Sequence, residues 1–340
     1  MRTHGEHSKP LKKKVLVTSE DVGESNLMRL GKSAKVFASW KMSGPEIRKI
    51  LPEIDALLVF SWPPFLDEAA VARMYRLRFV QSGLVGVNHI PFPILRRNVT
   101  VASNAGAYSF EVGEQAWALL LSIGKRIVEQ DTKIKEGANS FDQFAGEASK
   151  ITVLNGRTIG IIGYGAIGQS VSKYALAFGM KVLAFGRKRR KINGLLVRSG
   201  RKWFEHLISQ SDAMLLSVPL SKRTLGLIGK TELSMMKDDA ILVNIARGDL
   251  VDQESLYSHL ASHPEFRYAT DVWWTKNGRE TLENDYPFAS LVNFIGTPHM
   301  SGPTAVVSGR PSKLATDNVL RYLKGKITSN TVDRREYAFT

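Results

Sequence analysis

The sequence predicts an α/β protein built from two doubly wound parallel sheets with a cleft between them. Three observations carry this. Short apolar runs alternate with longer amphipathic segments, the pattern of strands joined by crossover helices. The alternation occurs as two series, separated by one long helical pattern. The second series opens with a glycine-rich turn set between an apolar strand and a helix.

The first series gives candidate strands at Lys14–Thr18, Ala56–Phe60, Leu77–Gln81 and Val99–Ala102. A helical pattern from about Phe110 to Glu136 follows and is long enough to bridge two domains. The second series gives strands at Thr158–Ile162, Lys181–Phe185, Ala213–Ser217, Ala240–Asn244, Tyr268–Ala269 and Asn293–Gly296. One more helix is expected at about Pro311–Lys324.

Composition sets outer limits. The chain has 340 residues, 43% hydrophobic and 23% charged, so it can bury about two cores and is not globally disordered. Apolar runs such as Ala116–Ile123 fall far short of the roughly 20 residues that span a bilayer. The first 14 residues lack the apolar stretch of a signal peptide and read as a lead-in. There is no cysteine, which excludes disulfides, thiolate metal sites and a cysteine nucleophile. A cytoplasmic location is expected, and a thermophile that avoids oxidisable residues fits the same fact. Net charge is +15 and favours anionic ligands. The excess is scattered and no zinc-finger or RNA-binding signature accompanies it, so nucleic acid is not the expected partner.

The turn of the second series reads Gly163-Tyr164-Gly165-Ala166-Ile167-Gly168. It follows an apolar strand, opens a helix, and a second strand begins about twenty residues on, the context a dinucleotide-binding turn needs. Gly163 permits the tight turn, Gly165 lets backbone N–H groups approach a pyrophosphate, and Gly168 brings helix and strand together. The helix N-terminus adds partial positive charge. These folds are called Rossmann-like, and both halves of the chain fit the type.

At the end of the second strand, NAD-specific sites place a carboxylate on the ribose hydroxyls. Here the chain has Gly186 followed by Arg187, Lys188, Arg189, Arg190 and Lys191. No carboxylate repels a 2′-phosphate, and a guanidinium is available to bind one. The sequence therefore predicts NADP(H) in preference to NAD(H), with Arg187 the main ligand and Lys188 or Arg189 assisting. The bland alternative is a solvated basic turn.

Three later stretches, "ILVNIARGDLVD", "YATDVWW" and "NFIGTPHMSG", join the glycine turn and "VQSGLVGVNHI". Together they resemble the D-isomer-specific 2-hydroxyacid dehydrogenases, the family of phosphoglycerate, glyoxylate/hydroxypyruvate, D-lactate and formate dehydrogenases. The resemblance runs from about residue 15 to 325. It implies a nucleotide-binding domain at 108–299 inserted into a substrate domain made of 11–107 plus 300–335. It also implies a homodimer, formed through the nucleotide domain with the long helix from Phe110 as a candidate contact.

By the same resemblance, Arg247 clamps the substrate carboxylate and polarises the keto oxygen. His299 is the acid/base that gives a proton to that oxygen and takes it back in reverse. Of the seven histidines it alone stands at a strand end in a Pro-flanked loop, although His89 is a weaker candidate for lining the cleft. Asp271 sits near the nicotinamide carboxamide, with further cofactor contacts from Val218, Pro219, Thr224, Ile245 and Ala246. Leu84, Val85 and Gly86 offer N–H groups to the substrate, and Asn104 lines the same pocket or serves a turn. Tryptophans 62, 273 and 274 either narrow that pocket or belong to the core.

One family feature is missing. The carboxylate partner of the histidine lies five residues after the aspartate, which here is Lys276. A cation there would disfavour a protonated imidazole, whereas a carboxylate favours it. Three accounts are open: Lys276 points to solvent, Glu280 or Glu283 folds back in its place, or the pair is lost. Glu280 is the expected partner of His299. The expected activity is reversible hydride transfer between NADP(H) and a small 2-oxo or D-2-hydroxy acid. A nucleotide-sensing protein of the same fold, similar to corepressors, is the alternative.

Overall fold

The computed structural model describes residues 12–302 and 309–337. The terminal histidines 4 and 7, and most of the lead-in, lie outside them. The chain divides into two compact units, one made of the segments up to Ala107 and after Thr304, the other of Tyr108–Thr304.

The first unit holds a five-stranded parallel sheet. Its strands are β1 Lys14–Val17, β2 Lys35–Ala38, β3 Ala56–Val59, β4 Phe79–Ser82 and β5 Thr100–Ala102, in the order β2-β1-β3-β4-β5. Helices α1 Glu24–Gly31, α2 Gly44–Ile50 and α3 Glu68–Ala72 connect them. β3 and β4 are buried on both faces; β3 accordingly reads as an unbroken apolar run, while β4 ends in the buried polar pair Gln81 and Ser82. β2 was not foreseen. It is an edge strand with no fully buried residue, so its apolar signal is weak.

The second unit begins with α4 Ser109–Gly124 and α5 Ile127–Lys135. The single long helix expected here is broken at Arg126, whose φ is 55°. The break has a local cause: Arg126 turns back to grip Glu129 through two bonds of 2.7 and 2.6 Å. Upstream, a side chain at Gly124 would stand 3.2 Å from Ile241, so the end of α4 lies tight against the sheet.

An eight-stranded sheet follows, in the order β15-β12-β11-β10-β6-β7-β9-β8. Its members are β6 Thr158–Ile162, β7 Lys181–Phe185, β8 Arg190–Ile192, β9 Leu195–Arg198, β10 Ala213–Leu216, β11 Ile241–Asn244, β12 Arg267–Thr270 and β15 Phe294–Gly296. A separate two-stranded hairpin, β13 Thr275–Lys276 and β14 Arg279–Glu280, projects after β12. Helices α6 Ala166–Ala177, α7 Arg201–Gln210, α8 Lys230–Ser234 and α9 Gln253–Ser262 complete the unit. Within the eight-stranded sheet, among the described residues, only β8 runs antiparallel to its neighbour. The strand order reverses direction at β6, between β7 and β10, and in open α/β sheets ligands bind at such a point, beyond the strands' carboxyl ends.

β8 corrects the reading of the basic run as a plain turn. Arg190 and Lys191 are strand residues, returned by Asn193 and Gly194 with φ of 48° and 83°. Both values are positive, as a two-residue type I′ hairpin requires. The chain then re-enters the first unit through α10 Arg310–Leu323, which packs on β4 and α1, and ends at α11 Arg334–Tyr337.

Candidate active site

The main candidate residues of the second unit other than Glu280 follow the carboxyl ends of parallel strands. The glycine turn follows β6, Arg187 follows β7, Val218 follows β10, Arg247 follows β11, Asp271 follows β12 and His299 follows β15. Parallel strands bring these ends to one edge, so residues distant in sequence converge.

At the glycine turn, each glycine has its own steric reason. Gly163 has φ 101°, and a Cβ there would stand 2.7 Å from the Ser217 backbone. A Cβ on Gly168 would stand 2.4 Å from the Gly163 carbonyl oxygen. Gly165 has open space around it. Two glycines are thus demanded by the protein's own packing, while the third leaves the approach clear for a ligand. The residues present therefore fit a dinucleotide. Ser217 closes the turn by donating from its hydroxyl to the Gly163 carbonyl at 2.6 Å. Pro219 accepts from the Thr224 hydroxyl at 2.7 Å, which fixes the loop after β10.

His299 lies in the left-handed region, φ 52°, a conformation that needs outside support. Its Nδ1 is 2.8 Å from Glu280 Oε2. An ionised carboxylate only accepts, so Nδ1–H donates and Nε2 is left as the proton-exchanging atom. Glu280 Oε1 in turn accepts the Trp273 backbone N–H at 2.8 Å. Burial pushes the Glu280 carboxyl up. The His299 and Trp273 hydrogen bonds and the charges of His299 and Arg247 outweigh it and hold the group below its ordinary value.

The hairpin explains how a residue nineteen positions before His299 reaches it. Asn277 and Gly278 have φ of 52° and 74° and reverse the chain in two residues. Thr275 pairs with Glu280, and Lys276 with Arg279. Side chains alternate across a strand, so the two pairs face opposite ways. Thr275 binds Asp249 through its N–H at 3.1 Å and its hydroxyl. Lys276 reaches Asp285 at 3.4 Å. Of the three accounts left open, the lysine points away from His299 and Glu280 occupies the carboxylate position. The carboxylate contact of His299 is to Glu280, not to Glu283.

Asp271 is wholly buried. Its carboxylate accepts from the Thr297 hydroxyl, the Met300 N–H at 3.2 Å and the Ser301 N–H at 3.0 Å. Three donors on one carboxylate clasp the loop that bears His299. The Trp273 indole adds a bond to the Thr297 carbonyl at 2.8 Å, and Gln115 donates to the Thr297 hydroxyl at 3.1 Å. Sequence reasoning missed Trp273 and Thr297 as supports. Trp274 is core, stacked on Phe288 and bonded to the Val251 carbonyl. Trp62 bonds to Leu66 in the first unit.

Arg247 is half-buried and extends beside its own strand end, with one guanidinium nitrogen on the Ala246 carbonyl at 2.5 Å. Ala246 in turn donates its N–H to Asn244, and Ile245 is buried. Gly248 is required because a Cβ there would lie 2.2 Å from the Trp273 backbone. That close approach brings the arginine loop against the start of the hairpin.

In the first unit, the Leu84 N–H donates to the Ser82 hydroxyl at 3.0 Å. It is therefore spent within the loop, and the expectation of three anion-binding N–H groups narrows to Val85 and Gly86. Asn104 is buried and gives its amide to the carbonyls of Gly83 at 2.8 Å and Pro311 at 2.9 Å. These bonds tie the end of β5 both to the loop after β4 and to the first turn of α10.

A sequence profile of the D-isomer specific 2-hydroxyacid dehydrogenases, describing their NAD binding domain, matches residues 117–301. The chain belongs to this family. It is an NAD(P)-dependent oxidoreductase with the family's Rossmann fold. This dehydrogenase is 29% identical to a D-3-phosphoglycerate dehydrogenase of Archaeoglobus fulgidus over 94% of its length, and spans 59% of that longer relative. It is 28% identical to a glyoxylate reductase of Thermococcus litoralis, covering 95% of the chain and 98% of the relative. Among solved structures, a putative formate dehydrogenase from Pyrobaculum aerophilum superposes with a TM-score of 0.79 at 29% identity, covering 94% of the dehydrogenase and 99% of that chain. No described helix is long and apolar enough to cross a membrane.

Proposed function

We propose that this dehydrogenase reduces a small 2-oxo acid to the D-2-hydroxy acid, reversibly, with NADP(H) as its preferred cofactor. The observation that carries the reading is the His299–Glu280 pair at 2.8 Å, set at the same sheet edge as Arg247. A bound nicotinamide supplies or accepts the hydride. The protein's residues do the rest. Arg247 presents a fork to the substrate carboxylate and polarises the keto oxygen. His299 gives the proton from Nε2, and Glu280 stabilises the imidazolium that precedes the transfer. Val85 and Gly86, in the loop after β4, keep their proposed role as anion-binding N–H groups. Glyoxylate and hydroxypyruvate are the acids proposed, in keeping with the small-acid relatives.

A sensory role without turnover would follow from a histidine left without a carboxylate, as a lysine at 276 suggests. With Glu280 on the histidine, that motive is gone. The test is turnover of glyoxylate and hydroxypyruvate with NADPH in the wild type, Arg247→Ala and His299→Ala. Each substitution should lower kcat by two to four orders of magnitude while cofactor binding stays near wild type. Full activity of His299→Ala would overturn the assignment.

A further inference from the structure

We propose that Arg198 and Lys202, with Arg189, form a phosphomonoester site that takes the ribose 2′-phosphate of NADP(H). This rests on the NADP(H) reading above but assigns the selectivity to different residues from those the sequence suggested. A cavity of about 440 Å³ is lined by Arg189, Arg198, Ser199, Lys202 and Trp203. Arg187 and Lys188 are exposed and do not line it.

The β8–β9 hairpin builds this cavity. β9 lies parallel to β7 with Phe185 beside Arg198, and the Gly186 N–H donates to the Arg198 carbonyl at 2.9 Å. A Cβ at Gly186 would stand 2.9 Å from Val197. A carboxylate residue at the end of the second strand would therefore crowd the neighbouring strand. In its place that neighbour delivers an arginine. On the other side of the hairpin, Arg190 donates to the Tyr164 carbonyl at 3.3 Å and ties the basic run to the glycine turn.

The cations are arranged for a ligand rather than for internal pairing. The Arg198 guanidinium lies over the Trp203 ring at 4.4 Å. Trp203 is itself pinned to β7 by its indole N–H on the Ala184 carbonyl at 3.1 Å. Stacking fixes the plane of the guanidinium and leaves its donor edges for an oxyanion. Among the described residues, Arg189, Arg198 and Lys202 have no carboxylate within ion-pair distance. The nearby Glu205 and Glu232 are both drawn to Arg201, at 2.6 and 3.0 Å. A phosphomonoester carries close to two negative charges and three acceptor oxygens, which suits two forks and an ammonium.

Fluorescence titration of the whole chain with NADPH and NADH tests this. Arg198→Gln and Lys202→Gln should each weaken NADPH about tenfold, and together about a hundredfold, with NADH changed less than twofold. Arg187→Gln should weaken NADPH less than Arg198→Gln. Inorganic phosphate should compete with NADPH but not with NADH. If the wild type prefers NADPH and the 198 and 202 variants keep that preference, the pocket assignment falls and the cofactor reading survives. If the wild type prefers NADH, the cofactor reading falls and takes the pocket with it. Equal weakening of both cofactors, or equal competition by phosphate against both, also overturns the assignment, because the site then binds free anions or supports the fold.

Discussion

At the residue scale, Glu280 and Thr297 do different work for the same imidazole. Glu280 supplies charge. Because its carboxyl titrates below the ordinary range, the pair it forms persists into mild acid, and the stability it adds is lost only as pH falls through that lowered value. Glu280→Gln keeps shape but removes the charge that favours imidazolium. We expect kcat for keto-acid reduction to fall ten- to a hundredfold, roughly the worth of one charge-assisted hydrogen bond. Wild-type kcat in Glu280→Gln would remove Glu280 from the mechanism. Thr297 supplies geometry, through its hydroxyl on the buried Asp271. Thr297→Val should lower kcat about tenfold with the pH profile in place and cofactor affinity unchanged, and Thr297→Ser should restore it. Should Thr297→Val match wild type in kcat, the clasp is not what holds His299.

At the scale of elements, two Asn-Gly hairpins add to the sheet edge what the parallel strands alone do not provide. One carries Arg198 and the other Glu280. Gly278 has φ 74° and nothing within 4 Å of where a Cβ would be, so a substitution there acts through the backbone alone. Gly278→Val should disturb the turn, withdraw Glu280 and reproduce the kinetics of Glu280→Gln, while the melting temperature shifts by only a few degrees. Wild-type rates in Gly278→Val would show that the hairpin geometry is not needed. These hairpins also mark where sequence reading stopped. Both strand series were legible because doubly buried strands such as β3 and β10 are unbroken apolar runs. The glycine turn, Arg247 and His299 were legible from local motifs. The hairpins were not: Asn277-Gly278 is flanked by Lys276 and Arg279, and Asn193-Gly194 stands between a basic run closed by Ile192 and the unbroken run Leu195–Val197, so neither turn is set in an apolar alternation. The dipeptide itself was the available signal. The choice between Glu280 and Glu283 needed a turn geometry, and the break of the long helix at Arg126 turns on a left-handed residue and its pairing with Glu129, which hydrophobic periodicity does not encode.

On the scale of the whole molecule, response to acid separates into two windows. A chain of net charge +15 gains further positive charge as pH falls, so self-repulsion grows throughout. On top of this, His259 is a specific weak point. Its ring meets Phe266 edge-on at 4.6 Å and stacks on His263 at 4.1 Å, and its Nε2 has no hydrogen-bond partner. Burial, then the neighbouring His263 charge, push it from 6.5 down to about 4, against a smaller opposing pull from Asp238. The unfolded chain therefore binds this proton below about pH 6.5, and the folded one only near pH 4. Stability must fall across that interval, since the unfolded state holds more protons there. The carboxylates with lowered values act later. Burial raises Asp212, but Lys237, the Thr158 N–H and Arg157 together bring it below its ordinary 3.8. Its contribution is present above the ordinary carboxylate range and disappears only under still stronger acid. Melting temperatures measured from pH 7 to 3 should thus decline first between 6.5 and 4 in the wild type. His259→Gln should flatten that first decline and leave the steeper one below pH 4, which Asp212→Asn should reduce instead. If His259→Gln follows the wild-type curve between 6.5 and 4, the histidine is not the group that titrates on unfolding.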